Sequence, residues 1–237
     1  MKLSHIILIL SGLGLIHLTG CKKSKSSDPT PPPELCQNTF EPHKALATTN
    51  GHGSHGGGTS EEGEEELGLP ENLSEADLYS DIESKTIHTA VVEFQPQFQL
   101  WSDGADKKRW VYLPECETID TTDMNAWSLP VGTRLFKEFS IDGARIETRL
   151  IERVGDGPYD FLFAAYVWND DETEATKVPD EGSPNVKGTS HDIPSQADCR
   201  RCHGSHAKRG GLPSRALGFS ALQLAHTDSP LNLDSLV

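Results

Sequence analysis

Residues 134–150 read RLFKEFSIDGARIETRL and carry the clearest fold signal in the sequence. Two runs with regularly spaced apolar side chains are joined across Asp142-Gly143, a dipeptide that tolerates positive φ in a tight reversal. The stretch therefore predicts a β-hairpin. Polarity alternates along the second run, where the two sets of side chains are Ile146, Thr148 and Leu150, and Arg145, Glu147 and Arg149. This alternation predicts a sheet with one solvated face.

Strand-like sequence continues on both sides of the hairpin, from Ala90 to Trp168. Short runs rich in β-branched and aromatic residues are separated by turn residues, and they lie at 91–94, 98–101, 110–113 and 159–168. Repeated short strands with turns between them predict a mainly β fold, either an antiparallel sandwich or a partly closed barrel. We expect the aromatic side chains of the last run in its core: Phe161, Phe163, Tyr166 and Trp168.

A short helix is predicted after this β-rich region. Ser195 and Asp198 stand three residues apart, as in a capping box with Asp in place of Glu, and glycines from Gly204 onward limit the helix. A second short helical stretch is expected at 214–225. We therefore divide this part of the chain into a β-rich domain at 67–180 and a short α-helical segment at 181–237.

The first of these helices carries Cys199-Arg200-Arg201-Cys202-His203, a CxxCH motif. In proteins with haem c the two thiols add to the haem vinyl groups, and the adjacent histidine binds the iron. The motif predicts one covalent haem c, with Cys199 and Cys202 as attachment residues and His203 as the proximal iron ligand. Two other interpretations are a thioredoxin-like redox pair, which needs a βαβ context, and half of a zinc site, which needs a second pair of ligands.

The sixth position of the iron separates electron transfer from ligand or substrate binding. Its candidates are His226, at the end of the second helical stretch, and His191, upstream of the motif. Met124, in a loop of the β-rich region, and His206, one helical turn after His203, are weaker candidates. Two histidine ligands would place the reduction potential below that of a His/Met site, and an open sixth position is the alternative.

Basic residues surround the motif in a chain whose formal net charge is −15. The segment from Cys199 to Thr227 contains no acidic residue, and its basic residues are Arg200, Arg201, Lys208, Arg209 and Arg215. Such a basic collar can pair with haem propionates or receive an acidic redox partner, whereas an exposed helix face is the simpler explanation. The acidity of the whole chain argues against nucleic acid as a partner.

The first 20 residues are predicted to be a lipoprotein signal peptide. An apolar run from Leu3 to Leu18 follows Lys2 and is shorter than a typical membrane-spanning helix. Leu18-Thr19-Gly20-Cys21 resembles the lipobox of bacterial lipoproteins. That resemblance implies acylation of Cys21, which would anchor the protein to a lipid membrane of the bacterial cell envelope, at the periplasmic face or the outer membrane. A plain secreted protein is the alternative.

Residues 21–66 are expected to form a disordered, lipid-anchored tether, because their Lys/Ser, Pro-rich, Gly/His-rich and Glu-rich blocks can bury little apolar surface. Five cysteines are present in the chain, and two of them, Cys36 and Cys116, have no role in lipid or haem attachment. In an oxidising periplasm this pair can form a disulfide that ties the N-terminal segment to the β-rich domain.

Several stretches resemble a family of bacterial exported dihaem c-type cytochromes: Leu100–Lys107, Leu129–Thr133, Ile146–Leu150, Tyr166–Asn169 and Ile193–Gln196 ahead of the CxxCH. The resemblance runs from about Leu73 to Leu233. It implies a β-rich region followed by haem c attachment, and only Cys199, Cys202 and His203 match the family's haem residues. The family carries a second CxxCH, whereas this chain ends 34 residues after His203. A truncated form, or a pocket completed by the β-rich region or a partner, would account for the difference.

The leading functional prediction is a lipid-anchored, periplasm-facing c-type cytochrome that transfers single electrons to a redox partner of unknown identity. One alternative is a haem enzyme of the peroxidase type with an open sixth position. Another is a non-catalytic β-sandwich surface lipoprotein with a relic haem motif. We find no paired carboxylates, phosphate-binding glycine loop or Ser/His/Asp arrangement that would assign an enzyme class.

Overall fold

The structure is a computed structural model that describes residues 39–41, 68–102, 104–124, 127–157, 160–204 and 215–236. All of them belong to one compact unit, Pro32–Val237. The predicted signal peptide and the lipidation site Cys21 lie outside the described residues, as does the predicted tether apart from residues 39–41. None of the described helices combines the length and the apolar composition needed to cross a membrane.

The described part of the chain forms two antiparallel sheets, one of two strands and one of six. The six-stranded sheet is a meander in which each strand pairs with the next along the chain. The mainly β, antiparallel fold is confirmed, and the architecture is sandwich-like because neither sheet closes into a barrel. The strands are β1 (Tyr79–Asp81), β2 (Thr86–Ile87), β3 (Val92–Glu93), β4 (Asp106–Tyr112), β5 (Arg134–Ile141), β6 (Ala144–Arg153), β7 (Phe161–Trp168) and β8 (Ala175–Lys177).

The predicted hairpin is confirmed as β5 and β6. Asp142 has a φ of 50° and Gly143 a φ of 84°, so both turn residues adopt the left-handed conformation that a two-residue hairpin turn requires. The pairing shifts register between Phe139 and Ser140. This irregularity changes which side chains of β6 share a face.

One face of the larger sheet carries the largest apolar cluster. Trp110, Phe136, Leu150 and Ala164 lie directly opposite one another on β4 to β7. The segment before the sheet covers them, because the 3-10 helix Leu73–Glu75 and strand β1 supply buried side chains to the same cluster. The four predicted core aromatics are all buried: Phe161, Phe163, Tyr166 and Trp168.

The prediction of a solvated second face is wrong. Glu147 on β6 has no exposed surface, because the segment between β8 and the following helix packs over it. This segment contains the 3-10 helix Val186–Gly188. The register shift turns Ile146 to the covered side, away from Leu150, where it joins a small apolar cluster with Ala165, Val186 and Ile193. Both faces of β6 are therefore inside the protein, and so are several of its charges.

The C-terminal residues cover the rest of this second face. Helix α1 (Gln196–His203) packs against β7, and helix α2 (Ala221–Leu224) lies further along the chain, before the 3-10 helix Asp234–Leu236. The predicted stretch at 214–225 is thus helical over four residues of its described part. A third apolar cluster joins this end of the chain to the sheet, and it includes Phe94, Val111, Leu135, Phe219, Leu224 and Leu231.

Candidate cofactor-binding site

Helix α1 begins where the sequence predicts. The hydroxyl Oγ of Ser195 accepts a hydrogen bond from the Asp198 backbone N–H at 3.2 Å and donates one to Asp198 Oδ2 at 2.7 Å. These bonds cap the first turn of the helix. The side-chain amide of Gln196 donates to the Phe163 carbonyl oxygen at 2.6 Å, which fixes the helix on β7. The CxxCH motif therefore projects from a capped helix that is fastened to the sheet.

A cavity of about 400 Å³ lies between α1 and the sheet. Four separate parts of the chain line it, namely residues 94–101, strands β4 to β7, helix α1 with Pro194, and residues 216–218. Its outer rim is apolar and exposed, since Phe98, Leu100 and Trp101 are 54, 58 and 84% exposed. This volume falls within the range of ordinary ligand pockets.

The three residues of the motif all line this cavity. Both Cys199 and Cys202 are free thiols; Cys199 is half-buried and Cys202 is exposed. Burial raises the pKa of the Cys199 thiol, so this group is protonated at neutral pH. The structure thus brings Cys199, Cys202 and His203 to one wall of one pocket.

The imidazole of His203 has a defined orientation. Its Nδ1 lies 3.2 Å from the backbone carbonyl oxygen of Arg215, and because a carbonyl can only accept, Nδ1 carries the proton. The other ring nitrogen, Nε2, then holds the lone pair that a metal requires. Burial, and after it the nearby charges of Lys137, Arg149 and Arg215, lower the pKa of His203. The ring is therefore neutral at neutral pH.

Three basic side chains face the motif from the opposite wall. Arg109 on β4, Lys137 on β5 and Arg149 on β6 lie directly opposite one another in the strand register, and all three line the cavity. Arg149 is neutralised by Glu147, to which it donates at 2.5 and 2.8 Å. Among the described residues, neither Arg109 nor Lys137 has an acidic partner within ion-pair distance. The Lys137 ammonium lies 4.5 Å from the centre of the Phe139 ring. Because neither side chain has an acidic partner, we call the two the unpaired cations.

Both unpaired cations are affected by their surroundings. Arg109 is only 7% exposed, and burial lowers its pKa. For Lys137, burial first and then the charges of Arg149, Arg109 and Lys107 lower the pKa to about 7. This row of basic side chains could not be predicted from the sequence, because strand register cannot be read from composition. The only sequence signal is that basic residues occur in or beside each of three neighbouring predicted strands.

The predicted basic collar is only partly described. Lys208 and Arg209 lie outside the described residues. Arg201 donates to Asp198 Oδ1 at 2.6 Å within α1, and the Arg200 guanidinium lies 5.3 Å from the centre of the Phe163 ring. The backbone carbonyl of Arg215 is the acceptor for His203. Arg201 therefore contacts its own helix and Arg200 contacts β7. The cations that line the cavity come from the sheet.

Those candidates for a sixth iron ligand that the structure describes do not line the cavity. His191 is buried, and its Nε2 lies 2.7 Å from Glu147 Oε2. His226 is half-buried, and its Nε2 lies 2.7 Å from the Gln95 carbonyl oxygen. Met124 is 55% exposed, and His206 lies outside the described residues. Distal ligation by His226 or His191 stays a prediction that would require either imidazole to leave its present partner.

The remaining cysteine predictions concern the N-terminal segment. Cys116 is disulfide-bonded, and Cys36, the partner expected from the sequence, lies outside the described residues. Phe40, which falls inside the predicted tether, packs at 4.7 Å between ring centroids against both His88 and Tyr112. A short piece of the N-terminal segment therefore contacts the β-rich region.

The two other interpretations of the motif gain nothing from the described residues. No group of three or more His, Cys, Asp and Glu side chains in the described ranges is placed to hold a metal ion, as a zinc site would require. The sheet around the motif helix is an antiparallel meander and not the βαβ arrangement of a thioredoxin-like redox pair.

Comparisons with protein-family models, with curated proteins and with solved structures each found no match to this chain. The assignment of a function therefore depends on the motif and on the cavity around it.

Proposed function

We propose that this protein is a c-type cytochrome that holds one haem in the cavity and transfers single electrons. The observation that carries the proposal is the position of the CxxCH motif, since both free thiols and the His203 imidazole line one cavity whose walls are largely apolar. An apolar cavity suits the porphyrin ring, and a neutral imidazole whose Nδ1–H is held by a carbonyl suits the iron.

Each residue then has a role in binding. Cys199 and Cys202 would each add their S–H across a haem vinyl group, so that two thioether bonds form and nothing is released. His203 would bind the iron through Nε2, with Arg215 fixing the ring. The haem supplies the one-electron iron couple, while the cavity walls limit the access of water and so tune the reduction potential.

Covalent attachment is tested by producing the protein in bacteria with a working cytochrome c assembly system. We expect intact mass to increase by one haem, and the haem to remain with the chain on a denaturing gel. The variant C199A/C202A should have the apo mass. The matched control R200A/R201A, which changes the two variable positions of the motif, should keep its haem. An apo mass for the unaltered protein would overturn the proposal.

A second candidate is a haem enzyme of the peroxidase type with an open sixth position. It is favoured by one observation, namely that among the described residues lining the cavity His203 is the sole histidine and no methionine occurs. Rapid binding of carbon monoxide by the reduced protein, together with peroxide turnover, would favour the enzyme. A bis-histidine spectrum without carbon monoxide binding would favour the electron carrier with His226 or His191 as the distal ligand.

The lipid anchor is part of the same proposal. An acylated Cys21 would hold the protein at the membrane of the bacterial cell envelope, where an oxidising environment supports the Cys116 disulfide. We expect C21S to move the protein from the membrane fraction to the soluble fraction without changing its haem content.

A further inference from the structure

The unpaired cations are an unusual feature of this sheet. Like charges directly opposite one another on neighbouring strands are destabilising, and a buried charge is normally paired. Arg109 and Lys137 are directly opposite each other, and Arg109 is 7% exposed. The third member of the row, Arg149, shows how this protein satisfies such a charge, because Glu147 binds it through two hydrogen bonds.

Two other arginines of the same sheet have carboxylate partners, whereas Arg153, which is 8% exposed, donates to the Asp156 carbonyl oxygen at 3.2 Å. Arg134 is 1% exposed, and its Nε lies 3.2 Å from Glu152 Oε2. Arg145 lies 3.0 Å from Glu138 Oε2 and 2.8 Å from Glu172 Oε2. The sheet therefore contains enough carboxylates to neutralise buried cations, yet it leaves two cations without one where the cavity begins. Such a pair is expected where an anionic group of a ligand is bound.

The cavity around these cations indicates what kind of ligand it fits. Its rim exposes Phe98, Leu100 and Trp101, and its floor presents Arg109 and Lys137 on the sheet. A ligand that covers both surfaces has a broad apolar body and at least one carboxylate. Under the proposed function that ligand is the haem, and its two propionates are the carboxylates.

We propose that Arg109 and Lys137 form a carboxylate-binding site in the cavity, which receives the propionates of the haem attached at Cys199 and Cys202. This inference rests on the proposed function for the identity of the ligand, but the site itself is defined by strand register and by the missing acidic partners.

The site is tested in the full-length C199A/C202A chain, which cannot attach haem covalently. The probes are protoporphyrin IX, which contains no iron and so cannot bind His203, and its dimethyl ester, which has lost both carboxylates. We expect the acid to bind at least about tenfold more tightly than the ester, since the ester cannot form the charge-assisted hydrogen bonds that an ionised carboxylate accepts. Binding is measured by porphyrin fluorescence.

The cation variants decide whether the preference comes from these two residues. R109Q/K137Q should bind the acid and the ester equally, whereas K108Q, which changes an exposed lysine on the same strand, should keep the preference. Equal binding of both probes before any cation is changed would overturn the proposal. An unaltered preference in R109Q/K137Q would overturn it as well.

A stability measurement separates ligand binding from a structural role. Removing an unpaired buried cation should leave the ligand-free protein at least as stable as before, because no ion pair is broken. If R109Q does not fold, Arg109 has a structural role and its assignment to the carboxylate-binding site is wrong. K137Q alone then tests Lys137, because the variant should lose the preference for the acid over the ester.

A final arm separates this inference from the proposed function. Dodecanoate and dodecanol provide a free carboxylate and its neutral counterpart on a narrow chain. If the unaltered protein has no covalent haem, but dodecanoate binds more tightly than dodecanol and R109Q/K137Q removes the difference, the carboxylate site stands and the cytochrome proposal fails.

Discussion

Glu147 occupies the most enclosed polar position on the second face of the sheet. It has no exposed surface, and it accepts two hydrogen bonds from Arg149 while lying 2.7 Å from His191 Nε2. Burial raises its pKa, but the contacts with His191 and Arg149 outweigh burial and lower the pKa overall. The carboxylate is therefore ionised and holds the segment before α1 against β6.

We predict that E147A lowers the free energy of unfolding by about 3–5 kcal/mol, because it leaves the charge of Arg149 without its partner. The comparison is with E93A on β3, where the carboxylate is exposed and the expected change is within about 0.5 kcal/mol. Denaturant unfolding measures both. Equal effects of the two substitutions would show that the buried network does not stabilise the fold.

Lys137 should make the stability of the ligand-free protein depend on pH. The charges that act on it are Lys107, Arg109, Arg149 and Glu147, and its pKa falls from 10.5 in a free chain to about 7 in the folded protein. Between these values the unfolded chain binds the extra proton, so stability rises with pH by up to about 1.4 kcal/mol per unit. Above pH 10.5 Lys137 is neutral in both the folded and the unfolded chain, and the free energy of unfolding has its full value. This part of the stability is lost as the pH falls to about 7.

The matching variant is K137Q in the C199A/C202A background. We predict that the variant is the more stable protein near pH 7 and that the difference shrinks as the pH rises toward 10.5. Denaturant midpoints collected at several pH values measure it. A difference that stays constant over this range would contradict a depressed pKa for Lys137.

At the scale of elements, the N-cap of α1 links stability to the motif. Ser195 accepts from Asp198 N–H, whereas Ser220, the N-cap of α2, makes no side-chain cap bond. We predict that S195A costs about 1 kcal/mol and lowers the fraction of chains carrying covalent haem, while S220A changes neither. Unfolding experiments and intact mass give the two readouts. An equal loss in both variants would rule out a specific role for the Ser195 cap.

The elements that were predicted correctly depend on local sequence. Asp142-Gly143 sets the hairpin and Ser195 sets the start of α1, in each case through residues no more than a few positions apart. The wrong prediction, a solvated face on β6, depended on what covers the strand, and that cover comes from residues about 40 positions away, such as Val186. A register shift, which composition does not encode, also moved Ile146 to the covered side.

In the candidate site, too, the residues close together in sequence could be predicted and those far apart could not. The motif predicts its own three members, because they lie within five residues on one helix. The opposite wall could not be predicted, since Arg109, Lys137 and Arg149 meet only through the pairing of three strands. Neither could the acceptor for His203, which is the carbonyl of a residue 12 positions further along the chain.

At the scale of the whole molecule, the Cys116 disulfide should connect the N-terminal segment to the β-rich domain. We predict that peptide mapping without reductant recovers a Cys36–Cys116 pair, and that C36S/C116S lowers the free energy of unfolding by about 2–4 kcal/mol. The C199A/C202A protein is the control, because it keeps the disulfide and lacks the other pair of thiols. Recovery of Cys36 as a free thiol would contradict the pairing.

The cavity is assembled from four stretches that together extend over more than half of the chain, at 94–101, 109–164, 194–203 and 216–218. A chimaera that transplants only residues 181–237 onto a foreign carrier would transfer the thiols and the imidazole but neither the aromatic rim nor the unpaired cations. A haem attached to such a chimaera would be exposed to solvent on one side. Reproducing the proposed haem site in another protein would therefore require the sheet together with the motif.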